Sequence, residues 1–401
     1  MPEITYPGVY VEEGGAAAKP IEGVPTSVAG FVGFTRRGPL NRPVTIASVD
    51  AFTRTFGDAA ADTVLPQAVA DFFANGGTQA VVVRSAALRA GRARPPGTVQ
   101  LVGSPRRRSG LHALDRRVRI NLLCIPDAVR PLPGPARPDP RVDAAKIYAA
   151  AAAFCAERHA LLLIDPPVDA TTPQAACAWR RLLPQRPASA FAAAYWPRLR
   201  GADDPAGSPG RAPSGAIAGV IARTDAARGP WRAPAGSDAA IRAAAGPAVT
   251  LDDEGSAALQ DAAINPLRVL AGRGFVVWGA RLLSSSESND EIARYVPLRR
   301  LADFIEASIV EGLRWTSFEP NGPALWTRAR GQVEAFLAGL FRAGAFQGRT
   351  ARDAYFVRCD ATTMTAADIA AGKLLIEIGF APLKPAEFVI LRLSQLAASG
   401  A

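Results

Sequence analysis

Ile120-Asn-Leu-Leu-Cys-Ile-Pro126 is followed, after a Pro-rich loop, by the Ala-rich stretch Ala144 to Arg158 and then by Ala160-Leu-Leu-Leu-Ile-Asp-Pro-Pro167. Two short apolar runs, each stopped by proline, flank a segment of strong helix formers. Runs of this length without polar alternation read as strands buried on both faces, and a helix between two of them is the crossover of a parallel pair. The same alternation continues outward. Upstream, Val28–Phe34 and Ala80–Arg84 read as strands, with a helix over Leu65–Asn75 and a turn at Gly76-Gly77. Downstream come a helix over Gln174–Leu183, a strand at Ser189–Tyr195, a small-residue turn at Ser214–Ala222 opening a helix, and a strand at Gly274–Trp278. The fold class is therefore α/β, with a mostly parallel sheet covered on both faces.

The last third changes pattern. Leu301, Phe304, Ile305, Ile309 and Leu313, and then Val333, Phe336, Leu337 and Leu340, recur at helical spacing within Val296–Trp315 and Pro323–Ala343. Both segments read as amphipathic helices packed on a core. Tyr355–Cys359, Leu374–Ala381 and Glu387–Leu393 read as strands. At the other end, Glu3-Ile-Thr-Tyr-Pro-Gly-Val-Tyr-Val-Glu12 is rich in β-formers and is followed by the tether Gly14–Ala18. A strand on a tether reads as an arm that adds to another sheet edge or, taken by itself, as an ordinary first strand. The organisation expected is an arm and linker over 1–20, an α/β part over 21–117, a central α/β domain over 118–283, and a C-terminal domain over 284–401 ending in a strand at 387–394.

Composition restricts the function. The 401 residues are 49% apolar and 20% charged, which suits a folded chain with a sizeable core. The formal charge is +10 and only four of the 46 basic residues are lysine, a mixture of genome bias and a preference for acidic partners. Cys124, Cys155, Cys177 and Cys359 show no C-x-x-C spacing and read as reduced thiols. The opening Met-Pro-Glu-Ile-Thr-Tyr lacks the basic and apolar regions of a signal peptide, so cytoplasmic synthesis and assembly are expected. No apolar run reaches the ~20 residues of a membrane span, and no direct membrane insertion is expected.

Little in the chain carries chemistry. There are two histidines, His112 and His159, too few for a metal set, and no G-x-S-x-G elbow offers a nucleophile. Asp165 ends a buried strand where α/β ligand sites form, and reads as a cap on the turn into Pro166-Pro167. Ala371-Gly-Lys-Leu374 lacks the Ser/Thr of a phosphate loop, and Gly272-Arg-Gly274 lacks its third glycine at Val277. No enzyme activity, cofactor or metal is expected. Between Arg84 and Arg119 ten arginines face a single acid, Asp115. Without interleaved aromatics or a nucleic-acid-binding signature this stretch reads as a protein contact or a solvated loop. An α/β hydrolase-like enzyme would need a triad, and a nucleic-acid-binding protein would show salt-sensitive DNA retention.

Long collinear blocks then carry a resemblance. Tyr6-Pro-Gly-Val-Tyr-Val-Glu-Glu13, Pro20-Ile-Glu-Gly-Val-Pro-Thr-Ser27, Gly110-Leu-His-Ala-Leu114, Arg228-Gly-Pro-Trp231, Gly312-Leu-Arg-Trp315, Phe318-Glu-Pro-Asn321, Phe346-Gln-Gly-Arg349 and Phe380-Ala-Pro-Leu-Lys-Pro-Ala-Glu-Phe388 resemble phage tail sheath proteins. The nearest likeness is to sheaths of extracellular contractile injection systems. A sheath of the type VI secretion class fits the strand-like start less well. The polar run Ser284–Asp290 departs from the family, which carries an acidic-Pro-aromatic turn there.

The resemblance implies a structural subunit that stacks as hexameric rings around an inner tube, grows from a baseplate to a terminator or cap, and contracts from a metastable extended state to drive the tube through a membrane. It implies that 118–283 is a domain with a subtilisin-like chain fold and no protease activity. It also implies strand exchange between copies, with Ile4, Tyr6, Val9, Tyr10 and Val11 at one end and Phe388, Val389, Ile390 and Leu391 at the other as arm residues. Its partners would be further copies, the inner tube and the baseplate, and no nucleic acid. Arg299, Arg300, Arg328 and Arg330, basic positions on core-packed helices, are the candidates for the tube contact.

Overall fold

In the strand Leu161–Ile164, Leu162 and Ile164 enter one apolar cluster while Leu161 and Leu163 enter another. The period-2 geometry of a strand puts alternate side chains on opposite faces, and both faces here are apolar because both are covered. The computed structural model describes residues 20–89, 92–115, 117–132, 137–185, 187–202, 204–205, 208–286, 290–383 and 389–396. They fall into two compact units, one spanning Val24–Ile305 and the other formed by residues up to Gly23 together with those from Glu306 onward.

The larger unit is built on an eight-stranded sheet. Its strands are β1 (Ala29–Gly33), β2 (Pro43–Ile46), β3 (Ala80–Arg84), β4 (Leu122–Cys124), β5 (Leu161–Ile164), β6 (Ala192–Trp196), β7 (Ile264–Leu270) and β8 (Gly274–Val277), in the spatial order β8-β7-β6-β5-β4-β1-β3-β2. Pairing is parallel from β3 through β7, and the two edge strands, β2 and β8, pair antiparallel with β3 and β7. The expected mixed α/β class with a mostly parallel sheet is what the chain forms.

One face is covered by α3 (Ala144–Arg158) and α4 (Pro173–Arg180), which bring Tyr148 and Trp179 onto Val32, Val81, Leu123 and Leu162. The other is covered by α2 (Leu65–Ala74) and α5 (Ser214–Arg228), which bring Phe72, Ile217 and Val220 onto Phe31, Val82, Leu122 and Leu163. α1 (Val49–Phe56) starts at Ser48, whose hydroxyl accepts from Ala51 N, and buries Phe52 and Phe56. α6 (Asp253–Asp261) is capped by Asp252. α2 and α5 run against each other through small residues. A methyl added at Gly215 would collide with the Ala68 carbonyl oxygen, and one at Gly219 with that of Phe72.

The sheet does not break where the sequence suggested a boundary at 117/118. β1 pairs with β4 across that position, Ala29 opposite Leu122, so 29–84 and 122–277 share one sheet. The segment Ser214–Ala222 is helical throughout, not a turn, because its small residues let α5 approach α2. The expected strand at Ser189–Tyr195 starts later, after a 3-10 turn over Ala188–Phe191.

In the smaller unit, α8 (Pro323–Arg342) buries Leu325, Trp326, Ala329, Val333, Leu337 and Leu340 on one stripe. β9 (Tyr355–Arg358), β10 (Lys373–Phe380) and β11 (Val389–Leu396) form an antiparallel sheet in the order β9-β10-β11. Phe346 packs on Phe380 and Tyr355, with ring centroids 5.6 and 6.0 Å away. The division at Ile305 falls within α7 (Val296–Gly312). No helix among the described residues is long and apolar enough to cross a membrane.

Candidate functional site

An open parallel sheet places ligand sites beyond the C-terminal ends of its strands, which makes the residues after β4 and β5 the first place to look. Asp165 follows β5 and is wholly buried. Its two carboxylate oxygens each accept a 2.7 Å hydrogen bond from Ser214, one from the backbone N at the start of α5 and one from the hydroxyl. The Tyr148 hydroxyl brackets the Asp165 backbone, accepting from its N at 3.2 Å and donating to its carbonyl at 3.3 Å. Arg198 lies alongside, donating to the carbonyls of Pro166 and Gly210.

This is a helix cap made from a distance, and it satisfies donors that a helix N-terminus otherwise leaves orphaned. Serine meets aspartate directly, with no imidazole between them. His112 sits edge-on to Phe154, and His159 lies 3.3 Å from Asp303. No imidazole among the described residues stands beside the Ser214 hydroxyl, whose proton is committed to the capping bond with Asp165.

Burial raises Asp165 to about 6, against the downward pull of the Ser214 hydrogen bonds and of Arg198, and burial pulls Arg198 down to about 10. A carboxyl raised above its unfolded value adds stability that is full below about pH 4 and is lost as pH climbs through about 6. Asp165→Asn should therefore flatten the pH dependence of unfolding free energy across that window, measured by urea titration at a series of pH values. An unchanged slope would show that Asp165 ionises as freely folded as unfolded.

The acid after β4 is equally committed. Asp127 accepts from Phe34 N at 2.9 Å and from Arg130 at 2.6 Å, and Arg130 also reaches Asp139 at 2.7 Å. Burial would raise Asp139, but hydrogen bonds from Arg141 and Arg130 outweigh it and hold the carboxyl well below its usual range. A depression of about 270 Å³ lined by Arg119, Ile120, Glu157 and Arg158 holds no nucleophile. Cys124, Cys155 and Cys359 are buried and Cys177 half-buried, all as free thiols. The polar groups at the strand ends hold the fold together.

Ile4, Tyr6, Val9, Tyr10, Val11 and Phe388 lie outside the described residues. Val389, Ile390 and Leu391 begin β11, opposite Phe380, Gly379 and Ile378 of β10 in the same chain. The four tube-contact candidates separate sharply. Arg300 is a correction: it is only 6% exposed and holds Asp225 through two bonds of 2.7 and 2.5 Å while donating to the Thr26 carbonyl, so it is an internal tie and faces no partner. Arg299 is largely covered, 2.6 Å from Asp303 and stacked over Phe191. Arg328 and Arg330, on α8, are 46% and 39% exposed in their side chains, with long ion pairs to Glu319 and Glu334.

An exposed aromatic that sequence reasoning passed over lies in the same unit as Arg328 and Arg330. Phe318 is 88% exposed at the end of the 3-10 turn Arg314–Phe318. The corner that presents it is fixed: Arg328 stacks over Trp315 at 4.3 Å, Trp315 Nε1 donates to Gln332, and Trp326 Nε1 donates to Asn321. Its signal in the sequence was a phenylalanine one step off the helical stripe, two residues before Pro320.

Comparison with known proteins agrees with a contact protein. Residues 288–395 match the family model described as phage tail sheath C-terminal domain. No curated protein is significantly similar to the chain. The helical sheath of the anti-feeding prophage in its contracted state is 30% identical over 98% of this chain and 100% of that one, with a TM-score of 0.71. The sheath complex of the extracellular contractile injection system PVC, also contracted, is 28% identical over 98% and 99%, with a TM-score of 0.70. The sheath tail protein of Listeria innocua, at 8% identity over 93% and 96% and a TM-score of 0.62, shares the fold. Likeness of that extent, running through both units, means that this chain belongs to the phage tail sheath family and is a structural sheath subunit, not an enzyme.

Proposed function

We propose that the chain polymerises into the contractile sheath of an extracellular phage tail-like injection particle, as stacked six-membered rings around an inner tube, and that shortening of this sheath drives the tube through a target membrane. The observation that carries the reading is the end-to-end likeness to two sheaths recorded in the contracted state; a related chain occurs in a six-fold symmetrised baseplate. In this reading assembly takes place in the cytoplasm, the partners are further copies, tube, baseplate and terminator, and no nucleotide or cofactor takes part. The stroke needs only a small free-energy difference per subunit, about 1–3 kcal/mol as in other coupled transitions, summed along the lattice. The stretch 118–283 corresponds to the family's subtilisin-like domain, sharing its sheet with 29–84.

Neighbouring subunits are tied by exchanged strands, Ile4–Glu12 at one end and Phe388–Leu393 at the other. The edge position of β11 supports this, since the register it makes with β10 is equally open to a strand from another copy. On the inside, Arg328, Arg330 and Phe318 face the tube. Electron microscopy of the chain assembled with its tube protein tests both points. Full-length chain should give cross-striated tubes, a variant lacking residues 1–13 none, and Arg328→Glu/Arg330→Glu empty sheaths without a tube. Tubes from the truncated variant would refute the arm; filled sheaths from the charge-reversed one would refute the tube contact. Monodisperse particles from every variant, full-length included, would remove the sheath assembly itself.

A further inference from the structure

The last strand of this chain is fastened to its own subunit. β11 runs antiparallel along β10 from Lys373 opposite Leu396 to Phe380 opposite Val389, eight residue pairs with no break in register. β10 is the middle strand of its sheet. On its other side lies β9, from Tyr355 opposite Phe380 to Arg358 opposite Glu377. Both edges of β10 are therefore taken, and the place that β11 fills is the place a strand from a second copy would need.

β10 itself is anchored by its side chains. Leu374, Ile376, Ile378 and Phe380 are buried, and the Phe380 ring packs on Phe346. The strand beside it is held by a ladder of backbone bonds, and such a ladder is the same whether the strand comes from this chain or from another. The contacts do not choose between the two; the connection and the concentration do.

Eight residues, 381–388, join β10 to β11, and two of them are proline, Pro382 and Pro385. Proline fixes its own φ and steers the residue before it towards extended backbone. A connection of this composition is stiff and opposes a tight reversal. Short tethering still holds the strand at an effective concentration on the order of millimolar. A dilute subunit thus stays closed, while the stiff connection favours release wherever other copies are crowded alongside.

We propose that β11 is an autoinhibitory strand: docked on its own β10 it keeps the free subunit closed, and it passes to a neighbour only at a growing end of the sheath. The proposal rests on the exchange of terminal strands between subunits, to which it adds the state of the subunit before assembly. Two closed subunits meeting in solution offer each other no vacant place on β10, so polymerisation away from a nucleus is suppressed. At a growing end several neighbours are already held in place, and exchange then substitutes one ladder for an identical one.

A disulfide across the two strands tests this. Leu375 and Ser394 stand directly opposite each other, where antiparallel Cα atoms are ~4.5–5.5 Å apart and within reach of an S–S bond. Leu375→Cys/Ser394→Cys is made in a chain that also carries Cys177→Ser, since Cys177 is the native thiol that is not fully buried. Oxidation of the monomeric fraction should give an intrachain bond, seen as a faster single-chain band on a non-reducing gel. The oxidised subunit should extend short fragments of sheath, assembled with the tube protein, at least about tenfold more slowly than the reduced one, and reduction should restore the rate. Oxidation after assembly should instead link chains into a ladder of bands. Independently of any new thiol, Pro382→Gly/Pro385→Gly should slow extension several-fold by easing the reversal; an unchanged or faster rate overturns the proposal. Ladders from the tubes without an intrachain bond in the monomer would keep strand exchange and overturn the closed subunit. Intrachain bonds in monomer and tubes alike, with extension unaffected, would refute exchange at this end and the autoinhibition with it, while the sheath stood. Absence of tubes from the reduced parent would remove the sheath assembly itself, and this proposal with it.

Discussion

Asp225→Ala should destabilise the larger unit by about 3–5 kcal/mol, the usual penalty for stranding one member of a buried ion pair. Asp225 and Arg300 are 4% and 5% exposed in their side chains. Burial opposes the charge on Arg300, and the Asp225 carboxylate more than offsets it. Remove that carboxylate and the guanidinium keeps only the Thr26 carbonyl. Thr26 loses as well, since its hydroxyl donates to Asp225 at 2.7 Å. As whole domains are stable by only about 5–15 kcal/mol, the urea midpoint of the full-length chain should fall steeply. Asp225→Leu/Arg300→Met should recover most of the loss, because replacing both charges leaves no buried charge unpaired and only the Thr26 hydroxyl and carbonyl without their partners. A single variant within about 1 kcal/mol of the parent would mean that water reaches the pair.

Gly215→Leu should be comparably damaging for a different reason. On α5 that position faces the Ala68 backbone of α2 with no room for a methyl, so a larger side chain must push two helices apart. Overpacking a close site costs about 1–3 kcal/mol, and more where backbone meets backbone. The displaced helices would also lose the contact of Ile217, Val220 and Phe72 with the sheet. Thermal unfolding should show a lowered midpoint in Gly215→Leu and a smaller drop in Gly215→Ala, with Gly339→Ala in α8, where a methyl meets nothing within 4 Å, as the control that stays put. Equal midpoints for the leucine variant and the parent would show that α2 and α5 do not need their close approach.

The same helix shows why some elements were legible in the sequence and others were not. Strands such as Ala80–Arg84 and Leu161–Ile164 announce themselves because a strand buried on both faces must be apolar throughout. α5 gives no such signal. Surrounded on all sides, it is built from Ser, Gly, Ala and Ile without polar period, and so reads as a turn. β7 is masked by Pro266, a residue that argues against a strand; there the Asn265 side chain supplies bonds to Ala194 O, Arg281 N and Arg281 O. Among the candidate contact residues, helical spacing placed Arg300 on the surface because its acid lies 75 residues earlier on another helix. Pairings of that separation leave no local trace. The exposure of Phe318 could not be read from the sequence because exposure of an aromatic is decided by the fold around it.

Sheet order and helix pairing also set a timetable. β1 belongs in the middle of the sheet, and α2 must wait for α5, whose first residue is emitted about 140 residues after α2 ends, so at roughly 5–20 residues per second α2 stays uncovered on the ribosome for on the order of ten seconds. Through that interval the nascent chain shows Phe72 and Val69 to the cytosol and, until β4 emerges, an open edge on β1. The sticky form of this subunit is thus the half-made one, and slowing its synthesis between Asn75 and Pro213 should lower its yield more than slowing it anywhere after Gly229.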